Sequence, residues 1–128
     1  MFLFRKIIAV TVVMFFSLAL TSCEKAQPSS ASLRAGEKRA TIAPEYFTGK
    51  AYKAYFAAKE IPEVLDSLYC YCDCAKHAGH LSLLTCFVSM HGQGCDVCMD
   101  EAIMAYELHQ QGKDILSIRK AVDEKFAR

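Results

Sequence analysis

The chain is organised around residues 70–98, which read CYCDCAKHAGHLSLLTCFVSMHGQGCDVC. This window holds six of the seven cysteines and three of the four histidines of the protein. Such a density of soft donors is the strongest chemical signal in the sequence, and we expect one irregular, cysteine-rich connection between helices within it. The nine donors are Cys70, Cys72, Cys74, Cys86, Cys95, Cys98, His77, His80 and His91.

Hydrophobic residues outside and inside this window recur at helical spacing. Phe47, Ala51 and Tyr55 lie four residues apart, and Met99 and Ile103 repeat the pattern. No segment alternates for long enough to predict a core strand, so the predicted fold class is all-α, with about four helices. The predicted helices run from Pro44 to Pro62, from Leu81 to Met90, from Cys95 to Gln111, and onward from an N-cap at Asp114.

The helix predicted over Leu81 to Met90 spans roughly 15 Å. For it to double the chain back, the connections at Gly79 and at Gly92–Gly94 must reverse the chain direction. We therefore expect the cysteines on its two sides to converge in space. They are Cys70, Cys72 and Cys74 before this helix, and Cys95 and Cys98 after it. The domain that holds them covers residues 44–128, about 85 residues, and a core of that size is commonly supplemented by bridges or a metal.

The N-terminus has the pattern of an export signal. Arg5 and Lys6 precede an apolar run from Ile7 to Leu20, which is too short for a comfortable transmembrane helix of ~20 residues. The sequence Leu-Thr-Ser-Cys that ends at Cys23 resembles a bacterial lipobox. We expect a signal peptide over residues 1–22, lipidation of Cys23, and a flexible tether over residues 23–43. The acylated Cys23 would then anchor the protein in membrane lipid, on the extracytoplasmic side of a bacterial cell envelope.

The charge balance argues against a nucleic-acid partner. Thirteen basic and fourteen acidic residues follow Cys23, so the exported part is close to neutral. An electrostatic footprint for nucleic acid would need a basic patch or stripe.

An exported domain also meets oxidants, so its thiols persist only when they are bridged, metal-bound or catalytically recycled.

The spacing of the donors leaves the local geometry open. If Cys70–Cys74 is extended, its three thiols share one face, roughly 7 Å apart at Cα, which strains a bridge between neighbours. If it is a helical turn, Cys72 points away from the other two. Cys95 and Cys98 sit at a predicted helix N-terminus, where the helix dipole favours thiolates. His77 and His80 lie three apart and can face one site from a helix or tight turn.

The run IPEVLDSLYCYCDC over residues 61–74 resembles a family of bacterial lipoproteins defined by a PCYCGC or CYCxC motif. The later histidines, Cys86-Phe87-Val88 and the Cys95–Cys98 pair follow the family pattern, and the resemblance covers roughly residues 51–124. Tyr69 stands where many members have Pro, and Asp73 where they have Gly. The family carries no established activity, and the selenoproteins described among its members favour a redox-sensitive or strongly chelating site.

Three functions fit these residues. The first is binding of one thiophilic metal ion, Zn or Cu, since thiolate and imidazole ligands select such ions. The second is thiol–disulfide exchange, with Cys95 as the attacking thiol and Cys98 as its resolving partner. The third is an interaction module stapled by disulfides, which would have no need of the three histidines. For the metal, the favoured donors are Cys70, Cys72, Cys95 and Cys98, with Cys74, Cys86, His77, His80 and His91 as alternates.

Overall fold

The computed structural model describes residues 28–127, and over this range the chain forms five α-helices and no strand. The α-helices are α1 (Gly49–Glu60), α2 (Pro62–Asp66), α3 (Cys74–His77), α4 (Asp96–Gln110) and α5 (Ile115–Phe126). Short 3₁₀ helices cover Ser30–Leu33, Pro44–Tyr46, Leu83–Phe87 and Met90–Gly94. The predicted all-α class with a cysteine-rich irregular region is confirmed.

The two C-terminal helices form where their caps predict them. The side chain of Asp114 accepts a hydrogen bond from the backbone N–H of Ser117 at 3.0 Å, which caps the start of α5. Gly112, with φ at +77°, follows the end of α4, and this is a conformation that glycine adopts at little cost. Ile118 and Val122 of α5 are fully buried.

The core lies where α4 packs against α1 and α5. At its centre, Tyr55 of α1 stacks on Phe47 with ring centroids 3.8 Å apart and meets Phe87 edge-on at 5.1 Å. The hydroxyl of Tyr55 donates to the Ser89 carbonyl oxygen at 2.6 Å. These contacts fix the segment that carries Cys86 and His91 against α1.

The first helix begins later than predicted. Pro44 opens a short 3₁₀ helix, because Phe47 and Thr48 that follow it are extended, with φ of −123° and −131°. The α-helix starts at Gly49, whose φ of +59° lies in the left-handed region.

The predicted helix from Leu81 to Met90 is wrong. Ser82 and Ser89 are both extended, and two 3₁₀ turns follow them. Ser82 donates its hydroxyl to the buried Asp66 carboxylate at 2.9 Å, and Thr85 donates to Glu37 at 2.9 Å. The backbone N–H of Leu83 also donates to the distant Leu68 carbonyl oxygen at 2.9 Å, so tertiary contacts override the hydrophobic spacing. Cysteines on the two sides of this segment still converge, since Cys98 Sγ lies 3.2 Å from Cys70 Sγ.

Residues in the second half of the predicted tether contact the domain. The carboxylate of Asp66 accepts the backbone N–H groups of Gly36 and Glu37 at 3.0 and 3.1 Å. Arg34 also reaches Asp66, at 3.4 Å, and Glu37 is only 7% exposed. This part of the chain therefore differs from the expected flexible tether, because a buried carboxylate at the end of α2 binds its backbone.

The N-terminal predictions concern other residues. The signal peptide over residues 1–22 and the lipidation site at Cys23 lie outside the described range. Within residues 28–127, no helix is long and apolar enough to cross a membrane.

Candidate metal centre

A tight turn gathers the first three cysteines. The backbone N–H of Asp73 donates to the Cys70 carbonyl oxygen at 3.2 Å, and α3 begins at Cys74. Asp73 closes the turn with φ at +61°, a conformation that aspartate tolerates better than most residues. The segment is therefore neither extended nor one helical turn, and it curls its three thiols toward one point.

The two family positions that depart from the motif contact each other. The hydroxyl of Tyr69 donates to the Asp73 carboxylate at 3.1 Å, and Lys76 lies 3.0 Å from the same oxygen. The left-handed backbone at residue 73 explains why glycine suits this position in the motif. Here the side chains of Tyr69 and Lys76 hold an aspartate in that conformation.

Four sulfur atoms from two parts of the chain form the first donor group. Cys98, on the first turn of α4, places its Sγ 3.2 Å from that of Cys70 and 3.3 Å from that of Cys72. The Sγ atoms of Cys72 and Cys74 are 2.7 Å apart. All four lie within 4.8 Å of one another, and Cys70, Cys74 and Cys98 are buried. This group could hold a metal ion.

A second donor group shares Cys74 with the first. The Nδ1 atom of His80 lies 3.1 Å from Cys86 Sγ, and these two atoms and Cys74 Sγ lie within 4.8 Å of one another. His91 places its Nε2 3.2 Å from Cys74 Sγ, and its ring meets that of His80 edge-on at 4.7 Å. Cys86 also lies 3.5 Å from Cys70 and 3.6 Å from Cys98, so the two groups are continuous.

Cys95, His77 and His91 lie outside the two groups whose ligand atoms are all within 4.8 Å of one another, although His91 Nε2 contacts Cys74 Sγ. The sulfur of Cys95 accepts the backbone N–H of Cys98 at 3.5 Å, and so Cys95 serves as the N-cap of α4. His77 ends α3 as an exposed residue, and His109 is exposed near the end of α4. Of the four donors favoured from the sequence, the structure brings together Cys70, Cys72 and Cys98, and places Cys74 where Cys95 was expected.

The six cysteines of residues 28–127 are free thiols, and their proximity divides their acidities. Hydrogen bonds from the thiols of Cys86 and Cys98 lower the pKa of Cys70 to about 2. Donating to Cys70 raises the pKa of both partners, and burial raises the pKa of Cys72 and Cys74. These hydrogen bonds favour the thiolate form of Cys70 and the neutral form of its neighbours, whereas a bound cation would favour the thiolate form of them all.

Glu101 is a buried acid beside this cluster that the sequence reasoning missed. Its Oε1 accepts the backbone N–H of Tyr71 at 2.8 Å, whereas its Oε2 has no hydrogen-bond partner among the described residues. Burial, with the charge of Cys70, raises the pKa of Glu101 to about 8. Its position three residues after Cys98, on the same face of α4, was the signal that could have identified it. Glu101 thus holds the middle of the cysteine turn against α4.

Comparison with known proteins gives one match. The family described as proteins of unknown function with a PCYCGC motif matches residues 12–128, which include every donor of both groups. No curated protein and no solved structure matches the chain.

Proposed function

This chain belongs to the PCYCGC-motif family of proteins of unknown function, and from that premise we propose that it is a metal-binding lipoprotein. In this proposal the protein is anchored in a bacterial membrane on the extracytoplasmic side. Its cysteine and histidine cluster binds a thiophilic metal ion, Zn or Cu. The observation that carries the proposal is the convergence of four sulfur atoms within 4.8 Å of one another.

The size of the first donor group supports a tetrahedral ion. With metal–sulfur distances of about 2.3 Å, the sulfur atoms at the corners of a regular tetrahedron are roughly 3.8 Å apart. Cys98 Sγ lies 3.2 Å from Cys70 Sγ and 3.3 Å from Cys72 Sγ, and the Sγ atoms of Cys72 and Cys74 are 2.7 Å apart. Side-chain rotations that separate these sulfur atoms by roughly 0.5–1.1 Å would open the group to that size. Three of the ligands lie on one turn and the fourth lies on α4. Binding of an ion therefore pays the entropy of closing only one long loop.

The chemistry of the donors limits the kind of ion. Thiolate and imidazole select Zn²⁺ or Cu⁺, whereas Mg²⁺, Ca²⁺ and Mn²⁺ prefer carboxylate, carbonyl and water ligands. The burial of Cys70, Cys74 and Cys98 suits an ion that is retained and stabilises the fold.

The experiment is anaerobic purification of the full chain in detergent, with elemental analysis and free-thiol counting on one sample. We expect at least one equivalent of Zn or Cu, and a melting temperature that falls when a chelator removes it. A protein that carries no metal, takes up none when reduced, and holds its six domain cysteines in three bridges would be the stapled interaction module instead.

The anchor is tested separately at Cys23. We expect Cys23→Ala to accumulate as an unprocessed precursor that is not labelled by palmitate, because the lipobox is the processing signal in this proposal. Cys95→Ser serves as the control, since it removes a cysteine from the exported domain and leaves residues 1–23 intact. Normal cleavage and labelling of Cys23→Ala would contradict lipid anchoring at this residue.

A further inference from the structure

The cluster holds more donors than one ion can use. A tetrahedral ion takes four ligands, and Cys70, Cys72, Cys74 and Cys98 already supply them. Cys86, His80 and His91 would then have no ligand role, although each directs a sulfur or ring nitrogen at the cluster. A histidine whose ring nitrogen lies 3.1 or 3.2 Å from a cysteine sulfur has the placement of a ligand pair around a shared ion.

The three remaining donors surround a second position next to the first. Ligand atoms of His80, Cys86 and Cys74 lie within 4.8 Å of one another, and His91 Nε2 lies 3.2 Å from Cys74 Sγ. The two imidazole rings meet edge to face with centroids 4.7 Å apart. Cys74 belongs to both groups, and a thiolate has lone pairs enough to bind two ions at once.

Counting ligands and charges favours two ions. Seven donors, of which one bridges, supply the eight positions that two tetrahedral ions require. Five thiolates with one divalent ion would bury a net charge of −3, whereas two divalent ions reduce it to −1. Because an uncompensated buried charge is costly, the second ion stabilises the fully ionised cluster. We propose that the cluster is a dinuclear centre, an inference that rests on the proposed metal-binding function. In this centre Cys74 bridges a four-cysteine ion and a second divalent ion, which is held by Cys86, His80 and His91.

The two ions differ in exposure. The first lies among Cys70, Cys74 and Cys98, which are at most 4% exposed. The second is bounded by His91, which is exposed, and by His80, which is partly exposed, with the exposed side chains of Leu81 and Met90 next to them in the chain. The first ion is therefore retained, and the second exchanges with solvent and binds after it.

The test is a Co²⁺ titration of the full chain, reduced and metal-free, in detergent under anaerobic conditions. The thiolate-to-cobalt charge-transfer absorption should increase until two equivalents of Co²⁺ have been added, in two steps of different affinity. The double variant His80→Ala/His91→Ala should bind one equivalent, as should Cys86→Ser, which removes a different donor of the second ion. The matched control, His77→Ala/His109→Ala, removes two exposed histidines outside both groups and should still bind two.

The bridging thiolate has its own signature. Cobalt ions that share one sulfur couple their spins, so the electron paramagnetic resonance signal per ion should fall between the first and second equivalents. One equivalent in the unaltered protein would overturn the second ion and leave the first in place. Two equivalents without a fall in signal would overturn the bridge at Cys74. No binding at all would instead refute the metal-binding function itself.

Discussion

Serine substitutions at Cys98 and Cys95 should differ strongly in their effect on metal binding, although the two residues form one Cys-x-x-Cys pair. Cys98 is fully buried, with its Sγ 3.2 Å from Cys70 Sγ and 3.6 Å from Cys86 Sγ. Cys95 belongs to neither donor group and caps α4 through its sulfur. Cys98→Ser therefore removes one of four ligands of the first ion, whereas Cys95→Ser exchanges one helix cap for another.

The magnitude follows from the ligand count. Structural zinc sites contribute about 10–16 kcal/mol of apparent binding free energy, or roughly 2.5–4 kcal/mol for each of four ligands. Cys98→Ser should thus weaken the first binding step by about 70- to 850-fold. Cys95→Ser should change it by less than about threefold and leave the stability of α4 equal or higher, since serine is a preferred N-cap residue.

The assay is competition for Zn²⁺ against a chromophoric chelator, with reduced and metal-free protein. Far-ultraviolet circular dichroism of each metal-free variant should show an unchanged helical content, which separates lost ligation from lost folding. Equal weakening by the two substitutions would refute the assignment of Cys98 to the site and Cys95 to the cap. It would restore the pair as two equivalent ligands, as the spacing alone suggests.

Three further substitutions test the elements that shape the centre. Gly92→Ala should destabilise the protein by about 1–3 kcal/mol in denaturant unfolding, because a Cβ there would lie 2.9 Å from the Cys86 carbonyl oxygen and the Phe87 ring; wild-type stability would contradict this packing. Asp73→Gly should keep its stability within about 1 kcal/mol, whereas Asp73→Val should lose about 1–2 kcal/mol at φ +61°, and equal effects would argue against the left-handed turn. Glu37→Gln should reduce the dependence of the free energy of unfolding on pH at acid pH. The hydrogen bond from Arg39 lowers the pKa of Glu37 to about 2, so its contribution is present above pH ~4.5 and is lost as the pH falls toward 2; an unchanged acid limb would refute it.

The sequence determined the class of the fold and the chemistry of the site. Helical spacing, the Asp114 cap and Gly112 predict both ends of α4 and the start of α5 within about one residue of those observed. These signals suffice because a helix is held by contacts between residues three and four apart, which the sequence displays directly. The sequence also shows directly that the donors are thiols and imidazoles, and these donor types prefer soft ions.

The meeting of particular donors follows from the tertiary structure. The spacing of Cys95 and Cys98 predicts two ligands of one ion. Successive residues of a helix point in different directions, however, so Cys98 points toward the cluster and Cys95 caps α4. The segment from Leu81 to Met90 has helical spacing, yet Asp66 and Glu37, distant in sequence, bind its Ser82 and Thr85 hydroxyl groups and shape it into 3₁₀ turns. A ligand set depends on where side chains from separate segments point, and that direction is set by long-range packing, which no local pattern of residues contains.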